Sequence, residues 1–114
     1  MDSFTDIFTW GKGSIITPEQ AYKFMGESED CIVLDVRSTS EYQEGHISGA
    51  KSIPSTELSS RAPTELPDKE VPILTYCRSG MRASAAVNTL TQMGYTKVVS
   101  LGGILNWPYE IVTG

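Results

Sequence analysis

Cys77-Arg78-Ser79-Gly80-Met81-Arg82 places one thiol, two guanidinium groups and a glycine within a short stretch of a 114-residue chain. A thiol is nucleophilic as its thiolate, and neighbouring positive charge lowers its pKa below the ordinary ~8.5. If consecutive amide N–H groups of such a loop turn inward, they form a nest continuous with the N-terminus of a following helix, and that nest favours an anion at its centre. Gly80 supplies the backbone freedom for so sharp a turn. Together these groups suit a thiolate that attacks an anionic substrate. With no acid or base partner beside Cys77 in the sequence, the centre attacked must need little proton transfer. Divalent sulfur meets that condition. The competing assignments are a small buried hydrophobe for Cys77, solvated surface charge for Arg78 and Arg82, and a helix cap rather than a substrate contact for Ser79.

A loop of this kind needs a strand behind it and a helix ahead of it. Val71-Pro72-Ile73-Leu74-Thr75-Tyr76 reads as a strand buried on both faces, with Pro72 tolerable near its start. From Arg82 onward, Ala83, Ala86, Val87, Leu90 and Met93 recur at helical spacing, and Gly94 follows the helix end. Upstream, Thr17-Pro18-Glu19-Gln20 combines an N-cap, a proline at the first helical position and a capping-box glutamine, predicting a helix to about residue 25. Residues 31–36 form a second buried strand, and Ser38-Thr39-Ser40-Glu41 is a second capping box, opening a short helix that Gly45 stops. A brief strand over 50–53, one or two helical turns over 56–61 and a loop marked by Pro63, Pro67 and Asp68 follow. Residues 97–101 give the last strand, Gly102-Gly103 a tight turn, and 104–112 a final helix bent at Pro108. Strands alternating with helices at these intervals imply a three-layer α/β domain with a mainly parallel sheet. It occupies residues 14–114, behind an N-terminal arm over 1–13 whose Phe4, Phe8 and Trp10 are expected to pack on the body.

Composition narrows the chemistry further. The net charge of −5 argues against nucleic acid as a partner. No apolar run approaches the ~18 residues of a membrane span, and the start lacks the pattern of a secretory signal, so the expected location is the cytoplasm. Two cysteines and one histidine are too few for a disulfide framework or a zinc site. The sign of charge is uneven, however. Residues 1–70 carry six basic and thirteen acidic side chains, residues 71–114 three basic and one acidic. No carboxylate side chain lies between Glu70 and Glu110, so Arg78, Arg82 and Lys97 are expected to stand without local neutralisation, where an anion could sit. Cys31 opens an apolar strand with no cationic neighbour and reads as a core residue. Asp35, Arg37, Glu41 and His46 read as hydrogen-bonding pins for the loops after the first strand, and Trp107 and Tyr109 as packing.

Leu34-Asp35-Val36-Arg37, Glu41-Tyr42, Gly45-His46-Ile47-Ser48-Gly49-Ala50, Ile53-Pro54, the loop from Cys77 to Arg82, and Gly102-Gly103 with Trp107 run in one order along nearly the whole chain. In these features the sequence resembles the single-domain rhodaneses, the thiosulfate sulfurtransferase-like family. The resemblance implies a rhodanese fold, with a central five-stranded parallel sheet flanked by helices. It also implies a catalytic cycle through a persulfide on Cys77, with Arg78, Ser79, Gly80, Met81 and Arg82 as the substrate-binding loop. The implied donor is a small sulfane-sulfur compound such as thiosulfate, and the acceptor cyanide, a thiol or a protein. No metal or organic cofactor and no membrane is implied. Loop length separates this chemistry from that of tyrosine and dual-specificity phosphatases, which place five residues between Cys and Arg; here Cys77 and Arg82 have four between them. The alternative within the family is a persulfide carrier or partner-docking module with little turnover of its own.

Overall fold

The computed structural model describes residues 14–114. The expected arm over 1–13 lies outside the described residues.

Two capping boxes start the first two helices as the sequence dictates. Thr17 Oγ1 accepts from Gln20 N and Gln20 Oε1 from Thr17 N, at 3.0 and 2.9 Å, opening α1 (Pro18–Glu27). Ser38 and Glu41 make the same reciprocal pair at the head of α2 (Thr39–Glu44). Between them runs β1 (Ile32–Asp35), followed by β2 (His46–Ile47) and β3 (Lys51–Ser52). A 3₁₀ turn at Ser55–Glu57 leads into α3 (Leu58–Glu65), then come β4 (Ile73–Cys77), α4 (Met81–Gln92) and β5 (Val98–Gly103). A 3₁₀ turn at Ile104–Asn106 and β6 (Ile111–Val112) close the chain.

The main sheet has the order β3-β1-β4-β5, all parallel. Among the described residues four strands carry it rather than the expected five, and a single parallel bridge between Ile15 and Ser100 lies beside β5. From β1 the chain winds outward to β3, then crosses back to β4 and on to β5. The winding therefore reverses between β1 and β4, and the crevice at the carboxyl ends of those two strands is where such sheets bind ligands.

Alternation along the strands divides the core into two faces. Leu34, Ile73, Cys77 and Val98 pack with Leu58, Ala62, Ala83, Ala86, Val87 and Leu90 of α3 and α4. Val33, Leu74, Tyr76 and Val99 pack with Ala21 and Phe24 of α1 and with Trp107. Each fully buried Leu or Ile here contributes about 2 kcal/mol to folding, so both faces hold the sheet.

Three expectations are corrected. Residues 104–112 do not form a helix. The residue before a proline is biased out of the α region, and Trp107 is extended (φ −85°, ψ 112°). The chain leaves it extended as well, and β6 pairs antiparallel with β2, an element the sequence did not announce. Pro63 lies inside α3 rather than in a loop. Arg61 bridges Glu57 and Glu65, one turn to either side, and supports the helix around it. Gly102 and Gly103 belong to the end of β5 rather than to a separate turn.

Candidate active site

Cys77 is the last residue of β4, at the carboxyl end of the sheet beside the point where the winding reverses. Strand alternation sends its side chain to the same face as Ile73, the face covered by α4. That is why the first turn of α4 closes over the sulfur. Cys77 is 1% exposed. Its Sγ accepts hydrogen bonds from Gly80 N at 3.0 Å and from Ala83 N at 3.4 Å. Both donors belong to the start of α4, where orphan amides and the helix dipole present positive charge. Gly80 is the N-cap of α4, with φ 120°, a conformation that L side chains rarely adopt. The tight turn therefore depends on glycine at this position.

The loop also depends on a residue outside it. A Cβ at Gly103 would run into the Arg78 carbonyl oxygen and Ser79 Cα, so the loop packs directly on the backbone of β5. Leu105 N adds a 3.3 Å bond to the Arg78 carbonyl. Read as a turn in the sequence, Gly103 is in fact the floor under residues 78 and 79, a role that local pattern could not reveal.

Arg82 departs from expectation. It is not left without neutralisation: Nη1 and Nη2 donate to Glu41 Oε1 and Oε2 at 2.9 and 3.1 Å, a fork-to-fork pair spanning the crevice between the ends of β1 and β4. The carboxylate comes from 41 positions upstream, beyond the reach of local charge counting. Arg82 first of all holds the Glu41 carboxyl down, to about 2, with further bonds from Ser38. In return Glu41 holds the Arg82 guanidinium in its charged form, and Cys77 adds to that effect, so the charge lies within electrostatic reach of the sulfur.

Arg78, Ser79 and Met81 point outward. Arg78 makes no ion pair among the described residues and is exposed. Ser79 does not cap α4, whose N-cap has no side-chain hydrogen bond. Met81 is 85% exposed. A cavity of about 430 Å³ lies along the outer side of the loop, lined by Ile15, Ser79, Gly80, Met81, Ser84, Ser100 and Gly102.

The residues read as pins behave as pins. Asp35 is fully buried and accepts from Arg37 Nη2 at 2.7 Å, from Arg37 N at 2.9 Å and from the Tyr76 hydroxyl at 2.8 Å. Tyr76 in turn accepts from Ile47 N, and burial pushes its phenol pKa up. Arg37 also donates to the Gly45 carbonyl at 2.6 Å. His46 Nδ1 bonds the Tyr42 carbonyl at 2.8 Å while its ring stacks on Tyr42. These bonds fix the segment between β1 and β3, and α2 within it carries Glu41. The crevice thus holds a buried sulfur under two amide donors and a clamped guanidinium within electrostatic reach of it, an arrangement that stabilises negative charge on or next to that sulfur.

A family model described as Rhodanese-like domain matches residues 17–109. Over 71 residues the chain is 39% identical to thiosulfate sulfurtransferase PspE of Escherichia coli, covering 62% of this chain and 68% of that protein. It is 34% identical over 93 residues to a sulfurtransferase of Allochromatium vinosum, covering 81% of this chain and 85% of that one. The crystal structure of the Alr3790 protein from Anabaena superposes with a TM-score of 0.78 at 31% identity, over 86% of this chain and 91% of that chain.

Proposed function

The chain belongs to the rhodanese-like domain family, and from that premise we propose that it is a sulfurtransferase whose Cys77 carries the transferred sulfur as a persulfide. The observation that supports this reading most is the pair of amide donors, Gly80 N and Ala83 N, aimed at one buried sulfur. Named sulfurtransferases among the relatives point the same way.

In the first half-reaction the Cys77 thiolate attacks the outer sulfur of a donor such as thiosulfate. The Cys77 S–S bond forms, the donor S–S bond breaks, and the electron pair leaves with sulfite. The persulfide anion keeps the single negative charge that the thiolate had, so the amides stabilise reactant and product alike while the exposed Arg78 favours the approaching dianion. In the second half-reaction cyanide or a thiolate takes the outer sulfur and returns Cys77 as thiolate. No step needs a general acid, which fits a site where the Glu41 carboxylate is occupied by Arg82.

Thiosulfate with cyanide is expected to yield thiocyanate with the purified protein; absence of transfer from thiosulfate, polysulfide and organic persulfides alike would overturn the assignment. A second reading keeps the Cys77 persulfide but reserves its sulfur for a protein acceptor. It rests on Met81 and Leu105, 85% and 64% exposed beside the loop. Under that reading the protein gains sulfur, yet small thiols and cyanide remove it slowly.

A further inference from the structure

The two arginines of the loop differ in one respect that the sequence conceals: among the described residues Arg82 has an ion-pair partner and Arg78 has none. We propose that Glu41 is a positioning residue of the cysteine loop, holding the Arg82 guanidinium beside Cys77 while cancelling its charge, so that Arg78 alone meets the net charge of the donor. This rests on the sulfurtransferase reading above and adds a determinant of donor charge to it.

Glu41 is the third residue of α2, and its Oε1 accepts from Ser38 N and Ser38 Oγ, both at 3.0 Å. The capping box thereby fixes one oxygen before Arg82 arrives. Both oxygens then take the fork of Arg82, so neither the carboxylate nor the guanidinium keeps rotamer freedom. The α2 segment is itself anchored by the Arg37 bond to the Gly45 carbonyl and by the Tyr42 hydroxyl, which donates to the Ala50 carbonyl at 2.7 Å. A carboxylate so held is a fixed negative charge at the mouth of a site that must admit anions. Its presence costs electrostatic attraction and gives a defined place for Arg82 in return. A site with one uncompensated guanidinium discriminates less in favour of dianions than a site with two.

The sequence itself offers a clean test. Glutamine completes a capping box as well as glutamate does, so Glu41→Gln can keep the Ser38 bonds while deleting the charge opposite Arg82 and one of the two acceptors of its fork. Glu41→Asp keeps the charge. The probes are thiosulfate, a dianion, and methanethiosulfonate, a monoanion that also carries a sulfane sulfur. At low ionic strength E41Q is expected to raise the ratio of kcat/KM for thiosulfate over methanethiosulfonate by about two- to fivefold, mainly through a lower KM for thiosulfate. Its kcat with both donors is expected to fall by about threefold as Arg82 loosens. The ratio should return toward wild type in E41D, and the E41Q effect should fade in 1 M salt, as a charge effect must and a packing effect need not. A folded E41Q with an unchanged ratio at low salt would overturn the proposal.

Titration with sulfate separates this outcome from failure of the parent reading, because it needs no turnover. E41Q is expected to bind sulfate at least about threefold more tightly than the wild type. Should the wild-type protein transfer no sulfur while E41Q still tightens sulfate binding, the sulfurtransferase assignment fails and the charge-cancelling role of Glu41 stands. If sulfate binds both forms equally, the role of Glu41 falls whatever the turnover shows.

Discussion

Cys31 precedes β1 and Cys77 ends β4, neighbouring parallel strands of one sheet, and the comparison between them shows what a strand end contributes to a thiol. Ile32 is in register with Ile73, so Cys31 lies at the level of Pro72, about 16 Å along the strand direction from Cys77. At that amino end the adjoining residue is Asp30, and no described residue donates a hydrogen bond to the sulfur. Burial first, and then Asp30, push the Cys31 thiol up to about 12. At the carboxyl end Cys77 is the more buried of the two, 1% exposed, yet two amides of α4 converge on it. Burial alone makes a thiol inert. What separates the two is the direction of the sheet: in a parallel sheet the carboxyl ends receive the amino ends of the helices, with their unpaired donors.

The largest expected effect comes from exchanging the two cysteines for serine in turn. Cys77→Ser is expected to abolish thiocyanate formation, by at least about a thousandfold, whereas Cys31→Ser should stay within about twofold of wild type in the same assay. Next comes the floor of the loop. Gly103→Ala puts a methyl group into the Arg78 carbonyl, and the loop must lift off β5; transfer is expected to fall by at least about tenfold, with a lower Tm measured in parallel.

Smaller effects appear as pH dependence of stability. For Cys31 the folded pKa, about 12, lies above the ordinary thiol value of 9.0. Between those values the unfolded chain releases the proton and the folded chain keeps it, so stability is full below about 9 and declines as pH rises toward about 12. Urea unfolding at intervals above pH 9 should show this decline in the wild type and a shallower one in Cys31→Ala. Glu41 has the opposite sign. Its folded pKa, about 2, lies below the ordinary carboxylate value of 4.5, so its contribution is present above about 4.5 and is lost as pH falls toward about 2. Because the pair is partly exposed, this is the smallest effect of the set. Acid unfolding of the wild type against E41Q, which lacks the titrating group, measures it.

Local signals make most of the fold legible in the sequence. The capping boxes at Thr17 and Ser38, the apolar runs of β1 and β4, and the apolar spacing of α4 all lie within a few residues of the bonds they predict. The cysteine loop was legible for the same reason, since Cys77, Gly80 and the start of α4 are contiguous. What escaped is non-local. The Arg82 to Glu41 pair joins residues 41 positions apart, and the pairing of β6 with β2 joins Ile111 to Ile47. Gly103 matters through what rests on it rather than through its own conformation. His46 lies between these cases: its place beside Gly45 predicts a ring bonded to backbone, and the partner is the Tyr42 carbonyl.

The most direct measurement of the central claim is the intact mass of the protein after incubation with thiosulfate, followed by peptide mapping. A gain of one sulfur atom, confined to the peptide carrying Cys77 and discharged by cyanide, is the predicted result. No gain, or a gain located on Cys31, would contradict it.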